Sequence, residues 1–275
     1  MLRPALVCVF VAVVLGSGLL RAQSPAKGTY LGFDRNDYPG NENLTALRQT
    51  FAYTGYWLNN PPGETGNSWR GTRAALRAAG YGFLVLFNGR LYKELKRNPQ
   101  DWGKADAQSA IAAAQHEGFP KGTIIFLDIE EGGRMFAEQK AYIYAWVDGV
   151  AAGGYGAGVY CSGIPAREGN GTIVTAEDIR ANAQGRNIVY WVTNDACPPS
   201  PGCAFPKRAP SPAGSGVPFA DLWQFAQSPR RKAFTFECPA NYDRDGNCYP
   251  PGVDPALHLH VDVNSSTAAD PSRGR

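Results

Sequence analysis

The sequence has 275 residues, of which 44% are hydrophobic and 19% are charged. This balance is typical of a folded globular protein and excludes an intrinsically disordered chain. The formal net charge is only +3, so the sequence gives no indication of electrostatic capture of nucleic acid or of an anionic lipid surface. The length allows one large domain or two small ones.

The first 22 residues have the organisation of a secretory signal peptide. Arg3 precedes an uncharged apolar run over residues 5–15, and small residues lead to a cleavage site after Ala22. The apolar run is too short to be a permanent membrane span, although a retained anchor is the alternative. We therefore expect residues 1–22 to be removed and the protein to be secreted or periplasmic, with no membrane attachment.

Cysteine usage agrees with export. Cys197 and Cys203 bracket one proline-rich loop, and Cys238 and Cys248 bracket another. We expect each pair to form a local disulfide that pins its loop, because an oxidising compartment permits such bonds. Cys161 is left over inside an apolar stretch and is expected to be a buried, inert thiol.

Eight short apolar segments between turn residues are candidate strands. They cover residues 30–34, 51–58, 83–87, 123–130, 156–161, 188–193, 221–225 and 257–263. Candidate helices over residues 69–79, 105–117, 136–152 and 176–184 alternate with them. This alternation predicts an α/β fold, either a barrel or a doubly wound sheet, and the count of eight strands favours a TIM-like (β/α)₈ barrel.

The last third of the chain is irregular. Proline, glycine and both cysteine pairs dominate it after Asp195, which predicts disulfide-pinned loop insertions rather than helices. We expect one barrel domain over residues 28–266 and a disordered tail over residues 267–275.

Two carboxylates share one face of the fourth candidate strand. Asp128 and Glu130 are two positions apart, so their side chains point the same way. The carboxyl end of a barrel strand is where barrel active sites are built. The first candidate strand ends in Asp34, and the alternating segment 257–263 brings Asp262 to the same mouth. We therefore expect these four carboxylates to converge.

Clustered carboxylates suit glycoside hydrolysis. One acid with a raised pKa protonates the leaving oxygen, and a second stabilises positive charge on the sugar or activates water. The alternative is a structural cluster of ion pairs with Arg35, Arg90 or Arg134. Side chains near other strand ends predict a sugar-binding cleft, although each aromatic one taken alone is more readily explained by core packing. They are Trp57, Tyr160, Trp191, Trp223 and Gln224.

Short motifs follow one another along most of residues 28–266. They are Gly32-Phe33-Asp34, Asp128-Ile129-Glu130, Trp223-Gln224 and Asp262-Val263-Asn264. Their order resembles that of glycoside hydrolase family 25, the Chalaropsis-type lysozymes. Gly32-Phe33-Asp34 followed by Tyr38-Pro39 is also similar to a bacterial secreted glycoside-hydrolase-like domain of unknown function that is related to those lysozymes.

The resemblance implies a TIM-like barrel and, for the lysozymes, cleavage of the muramic-acid glycosidic bond of peptidoglycan. By matching positions, Glu130 would be the general acid and Asp128 would orient the acetamido group of the substrate. Asp34 and Asp262 would line the site. The expected partner is a glycan substrate, and we expect a monomer that needs no cofactor or metal.

Two other functions remain open. His258, His260 and Asp262 share a face of the last candidate strand, which would suit a metal-dependent hydrolase. The barrel could also bind glycan or cell wall without turnover, because a fold alone does not establish catalysis. An open cleft around the carboxylates would favour hydrolysis, whereas a mouth plugged by the cysteine loops would favour binding only.

Overall fold

Short strands close into a barrel around an aromatic interior. The structure is a computed structural model that describes residues 28–238 and 241–275, so the predicted signal peptide lies outside the described residues. Within these ranges the strands are β1 (Tyr30–Asp34), β2 (Tyr53–Trp57), β3 (Gly82–Asn88), β4 (Ile124–Asp128), β5 (Gly156–Ser162), β6 (Ala166–Glu168), β7 (Gly171–Ile173), β8 (Ile188–Thr193), β9 (Leu222–Ala226) and β10 (Asp262–Ser266). β6 and β7 form a separate hairpin, and the other eight close the barrel.

Among the described residues, all but one of the α-helices precede β8 in the chain. The helices are α1 (Leu44–Arg48), α2 (Arg73–Ala78), α3 (Pro99–His116), α4 (Ala137–Ala152), α5 (Thr175–Ala181) and α6 (Lys232–Thr235), with 3₁₀ turns at Asn41–Asn43, Tyr92–Glu94, Pro212–Ser215 and Pro255–Leu257. α3 and α4 are the longest and pack against each other. A Cβ atom at Gly103 of α3 would lie 2.4 Å from the carbonyl oxygen of Tyr142, so glycine permits this close approach. None of the helices in the described ranges is long and apolar enough to cross a membrane.

The predicted α/β barrel is confirmed, with one reversed strand. The order around the barrel is β1-β10-β9-β8-β5-β4-β3-β2, and β10 runs antiparallel to both of its neighbours. The other neighbouring pairs are parallel. The molecule is therefore TIM-like without being a complete (β/α)₈ barrel.

The predicted bounds of the last strand, 257–263, are wrong. β10 begins only at Asp262, after a 3₁₀ turn and a left-handed residue, His258, with φ of 47°. Leu259 and Val261 are buried although they lie outside the strand. Their burial produces the alternation of apolar and polar residues that the sequence pattern attributed to a strand.

Large aromatic side chains fill the barrel interior below the mouth. The ring of Trp191 lies 4.3 Å from that of Tyr160 and 6.2 Å from that of Phe126, measured between centroids. All three side chains are buried. Since the interior is packed in this way, polar chemistry is confined to the open end of the barrel.

Disulfides pin the irregular last third, but their predicted pairing is wrong. Cys197 pairs with Cys238 and Cys203 pairs with Cys248, with Cα–Cα distances of 5.1 and 5.5 Å. Each bond ties the segment after β8 to the segment after β9, because these two insertions pack side by side. Cys161 is buried, and burial raises the pKa of its thiol to about 12.

Residues 267–275, expected to be a disordered tail, instead pack against the base of β3. The carboxylate of Asp270 accepts a hydrogen bond of 2.8 Å from the amide of Phe83. The hydroxyl of Ser272 accepts one of 2.8 Å from the amide of Val85, and Ser272 is fully buried. The expectation was wrong because side chains in this segment accept hydrogen bonds from backbone amides of β3, as a neighbouring strand would. A pattern of apolar residues does not reveal such polar contacts.

We predict that Ser272→Ala lowers the free energy of unfolding by roughly 1–3 kcal/mol, because it leaves the buried Val85 amide without this acceptor. Thr267→Ala is the matched control, since Thr267 is exposed in the same segment. It should change stability by less than about 0.5 kcal/mol. Urea denaturation measures both variants, and equal stabilities would contradict a structural role for this segment.

Candidate active site

A cleft of about 400 Å³ opens where the parallel strands end. Asp34, Asp128, Glu130 and Asp262 all line it. Its other lining residues are Arg35, Asn36, Asp37, Trp57, Pro62, Glu64, Tyr160, Trp191, Gln224, Gln227, Ser228, His260 and Val261. The four cysteines of the disulfides are not among them. Gln227, Ser228, His260 and Val261 come from the two ends of the insertion after β9, so this insertion forms part of the wall and leaves the cleft open.

Strand direction brings Asp34 and Asp262 together. Asp34 ends β1 and is directly opposite Asp262, which begins the antiparallel strand β10. Gly55, on the neighbouring strand β2, has no side chain and so leaves room for Asp34. A Cβ atom at Gly55 would lie 2.8 Å from the Cβ of Asp34. The two carboxylates are thus close neighbours at the mouth, each delivered by backbone pairing.

Two side-chain amides hold Asp34. Its Oδ1 accepts hydrogen bonds from Nδ2 of Asn264 at 2.6 Å and from Nε2 of Gln224 at 3.1 Å. Aromatic donors occupy the other end of each amide. Nε1 of Trp191 donates to Oδ1 of Asn264 at 2.9 Å, and the hydroxyl of Tyr160 donates to Oε1 of Gln224 at 2.7 Å. This network orients both amides with their N–H groups toward Asp34.

Burial and mutual repulsion raise the pKa of three of the carboxyls. Burial raises the pKa of Asp34 to about 6, against the opposing effect of its hydrogen bonds to Asn264 and Gln224. Burial, followed by the charge of Glu130, raises the pKa of Asp128 well above its ordinary value. The pKa of Asp262 is likewise raised well above its usual range by burial and by the charge of Asp34. All three carboxyls therefore keep their proton to higher pH than an exposed aspartate does.

Glu130 differs from these three because it is exposed. It lies two residues beyond the end of β4, at the rim of the cleft. Asp128 lies beneath it and is 3% exposed. Oδ1 of Asp128 is buried and has no hydrogen-bond partner among the described residues. The pair therefore consists of an accessible carboxyl, that of Glu130, and a buried carboxyl, that of Asp128, whose Oδ1 is free to accept a hydrogen bond from a ligand.

Ion pairing with arginine does not account for this pair. Arg90 binds Asp106 at 2.7 Å, and Arg134 binds Glu168 and Asp178. Arg35 lines the cleft. In the part of the chain that the structure describes, none of these arginines forms an ion pair with Asp128 or Glu130.

Four of the five predicted sugar-contacting side chains line the cleft, and Trp223 does not. Trp57, Tyr160, Trp191 and Gln224 line it. Trp223 is adjacent to Gln224 in β9, so its side chain lies on the opposite face of the strand. Its Nε1 donates to the carbonyl oxygen of Asn194 at 2.8 Å, and its ring is buried. Trp223 is therefore a packing residue, and its proposed role in substrate binding was wrong.

Two residues of the site were not among the predicted site residues. Asn264 lies two positions after Asp262, so strand parity puts it on the same interior face, but its role in holding Asp34 was not predicted. Gln227 donates to the Tyr160 hydroxyl at 3.2 Å and to Oε1 of Gln224 at 3.0 Å. It lies beyond the end of β9, where no periodic pattern marks it.

The geometric premise of a histidine metal site is wrong. His258 and His260 precede β10, so they do not share a strand face with Asp262. His260 lines the cleft, whereas His258 is exposed outside it. Within residues 28–238 and 241–275, no group of three or more His, Cys, Asp or Glu side chains is placed to hold a metal ion.

The raised pKa of Asp34 predicts a pH-dependent stability. The Asp34 carboxyl binds a proton more tightly in the folded state than in the unfolded state. Its contribution to the free energy of unfolding is therefore complete below pH 3.8 and is lost as the pH rises through about 6. Asp34→Asn removes this loss. The variant should therefore gain stability relative to the wild type between pH 4 and pH 7, by up to about 3 kcal/mol.

Denaturant unfolding at a series of pH values measures this difference. Asp37→Asn, at the exposed rim of the same cleft, is the matched control and should show a much smaller change. A difference between Asp34→Asn and wild type that stays constant from pH 4 to pH 7 would contradict the raised pKa.

Comparison with protein families identifies one matching family. The sequence model of one family, described as the Rv2525c-like, glycoside hydrolase-like domain, matches residues 53–200. This segment runs from β2 to the loop after β8 and includes Asp128 and Glu130. No curated protein matches the sequence.

Solved structures share the architecture. An uncharacterized protein of B. stearothermophilus is 20% identical, with a TM-score of 0.54, over 86% of this chain and 94% of that chain. The Tat-secreted protein Rv2525c of Mycobacterium tuberculosis, in complex with L-tartrate, is 16% identical, with a TM-score of 0.52 and the same coverage. The catalytic domain of endolysin ply40, from a bacteriophage of Listeria monocytogenes, is 14% identical, with a TM-score of 0.51, over 90% of this chain and 98% of that chain. At these identities the likeness establishes a common fold.

Proposed function

The chain belongs to the family of Rv2525c-like, glycoside hydrolase-like domains, and on that premise we propose that it is an exported hydrolase of cell-wall glycan. The observation that carries the proposal is the open cleft at the carboxyl end of the barrel, which four carboxyls line. Aromatic side chains beside a few fixed polar groups are typical of a site for a small polar ligand such as a sugar. Peptidoglycan is the proposed substrate.

Glu130 is the proposed proton donor. It is the accessible member of the pair with Asp128, so it is the one that a glycosidic oxygen in the cleft can reach. Proton transfer to that oxygen lets the leaving sugar depart as a neutral alcohol. Water then adds to the anomeric carbon of the remaining sugar and gives its proton to the Glu130 carboxylate, which restores the acid.

Asp34 is the proposed stabiliser of the positive charge that develops on the sugar. Two amides fix its position, and it loses its proton near pH 6, so it is an anion at neutral pH. A fixed anion of this kind stabilises a transition state that resembles an oxocarbenium ion. Asp262 lies beside it and accepts hydrogen bonds from the amide of Ser228 at 2.6 Å and from Nε2 of Gln224 at 3.3 Å.

Asp128 is proposed to position the substrate. Burial and the charge of Glu130 raise the pKa of its carboxyl, and its Oδ1 has no partner among the described residues. The carboxyl can therefore exchange hydrogen bonds with a polar substituent of the bound sugar, such as an acetamido group. This contact would hold the glycosidic oxygen beside Glu130.

Export is part of the same proposal. The predicted signal peptide would carry the chain out of the cytoplasm, and the two disulfides suit an oxidising compartment. The protein Rv2525c, which shares the fold, is described as Tat-secreted. The N-terminal sequence of the protein recovered from the medium or periplasm tests this directly.

The release of reducing ends from purified peptidoglycan tests the enzymatic proposal. The second candidate function is a barrel that binds glycan without cleaving it. Binding to peptidoglycan without any release of reducing ends, from this or other glycans, would favour that candidate. The open cleft favours hydrolysis, because the disulfide-pinned loops do not fill the mouth.

A further inference from the structure

A second cavity adjoins the cleft. It has a volume of about 320 Å³ and shares Glu130, Tyr160 and Gln227 with the first. Glu130 therefore lies at the junction of two connected spaces. A chain-like ligand that passes the proposed proton donor would occupy both of them.

The two spaces differ in charge. The cleft is lined by six acidic residues, Asp34, Asp37, Glu64, Asp128, Glu130 and Asp262. The second cavity contains Arg231, and its sole acidic lining residue in the described chain is the shared Glu130. The hydroxyl-bearing residues Ser162 and Thr193 also line it. Of the two spaces, the second therefore repels an anionic substituent less strongly.

The guanidinium of Arg231 is fixed and retains donors. Its Nε donates to Oδ2 of Asp195 at 3.0 Å, and its Nη2 donates to Oδ1 of the same residue, which is completely buried. Nη1 makes no hydrogen bond to any residue that the structure describes. The Arg231 side chain is 38% exposed, so the two N–H groups of Nη1 are available to a ligand.

An apolar wall stands beside these donors. Phe234 lines the same cavity, and its ring centroid lies 4.8 Å from the Arg231 guanidinium carbon. The carbonyl oxygen of Phe234 accepts a hydrogen bond of 2.9 Å from the amide of Cys197, which is bonded to Cys238. The disulfide thus holds this wall in place before any ligand binds, which reduces the entropic cost of binding.

We propose that the second cavity is a subsite for a carboxylate-bearing unit of the glycan, with Arg231 as the residue that recognises the carboxylate. This inference rests on the proposed function, because it assumes that the ligand of the cleft is a glycan. It makes the protein selective for acidic glycans over neutral ones of the same length. Arg231 is a specificity-determining residue in this scheme, and the bond-cleaving groups remain in the cleft.

Binding measured without turnover tests the subsite. The Glu130→Gln protein is titrated with a neutral N-acetylglucosamine oligomer and with an oligomer of equal length that carries a carboxylate ether on alternate units. We expect the acidic oligomer to bind at least about 10-fold more tightly, because hydrogen bonds to charged groups are stronger than neutral ones.

The double substitution Asp195→Asn/Arg231→Gln replaces the ion pair by neutral amides and avoids a buried, unpaired carboxylate. In this background the preference for the acidic oligomer should disappear, while affinity for the neutral oligomer changes by less than about 3-fold. If the double variant does not fold, Arg231→Lys keeps a cation beside Asp195 but removes the planar fork, and the preference should still fall.

Arg35→Gln is the matched control, because Arg35 lines the cleft instead of the second cavity. Loss of the preference in Arg35→Gln but not in the double variant overturns the proposal. Equal affinity of the Glu130→Gln protein for the two oligomers, or no binding of either, also overturns it. If the Glu130→Gln protein prefers the acidic oligomer but the wild type cleaves no glycan, the hydrolase proposal is contradicted and the subsite proposal is not.

Discussion

Glu130→Gln is expected to lower the rate of peptidoglycan cleavage by about 10²- to 10⁴-fold, which is the range that a positioned general acid contributes. Glutamine keeps the shape of the side chain but has no proton of suitable acidity to donate. Because Glu130 is exposed, the thermal unfolding temperature should stay close to that of the wild type. The release of reducing ends at saturating substrate measures the effect on kcat.

Glu64→Gln is the matched control for this loss. Glu64 is also exposed and lines the same cleft, but it comes from the segment after β2. It should retain most of the activity, since the proposed mechanism gives it no proton to transfer. Equal activity in Glu130→Gln and wild type would remove Glu130 from the role of acid.

Removal of the Cys197–Cys238 disulfide by a double substitution to serine is expected to lower the free energy of unfolding by about 4 kcal/mol, the entropic value for a loop of this length. The bond joins residues separated by 41 positions. The loss should appear in denaturant unfolding under oxidising conditions. The same change should weaken binding of the acidic oligomer, because the bond holds the wall that contains Phe234.

Removal of Cys203–Cys248, whose members are 45 positions apart, is the control. It should cost similar stability and leave the preference for the acidic oligomer in place, since neither cysteine is bonded to a residue of the second cavity. Equal effects of the two double variants on that preference would contradict a specific role for Cys197–Cys238.

Peptide mapping under non-reducing conditions checks the pairing itself. Cleavage after lysine and arginine leaves Cys197 and Cys203 on one peptide, 187–207, and places Cys238 and Cys248 on two others. The crossed pairing joins all three peptides into one species. Local pairing would join only the last two and leave 187–207 separate.

Strand periodicity predicted much of the site because it determines which face of the sheet each side chain points to. A residue two positions from another in a strand shares its face, and parallel strands end at one rim of a barrel. These two rules placed Asp34 and Asp128 at the mouth from a single sequence. The eight-strand alternation likewise predicted the closed barrel, which the structure confirms.

The remaining features depend on contacts that no local pattern encodes. Leu259 and Val261 are buried although they lie outside a strand, so residues 257–263 have the alternating apolar pattern that is typical of one. Trp223 was assigned to the cleft with Gln224, although adjacent strand residues face opposite ways. The cysteine pairs were matched by sequence proximity, whereas packing between the two insertions decides them. Polar contacts of residues 267–275 with β3 carry no apolar signal at all.

The reversed last strand also sets the order of assembly. Asn264 and Asp34 are hydrogen-bonded although 230 positions separate them, so this contact can form only after nearly the whole chain has been synthesised. A nascent chain that lacks β10 would have an open sheet without the anchored carboxylate of Asp34. Because contacts of such long sequence separation form slowly, catalytic competence should arise only with the final closure of the sheet. On an export route that carries unfolded chains, that closure would follow translocation.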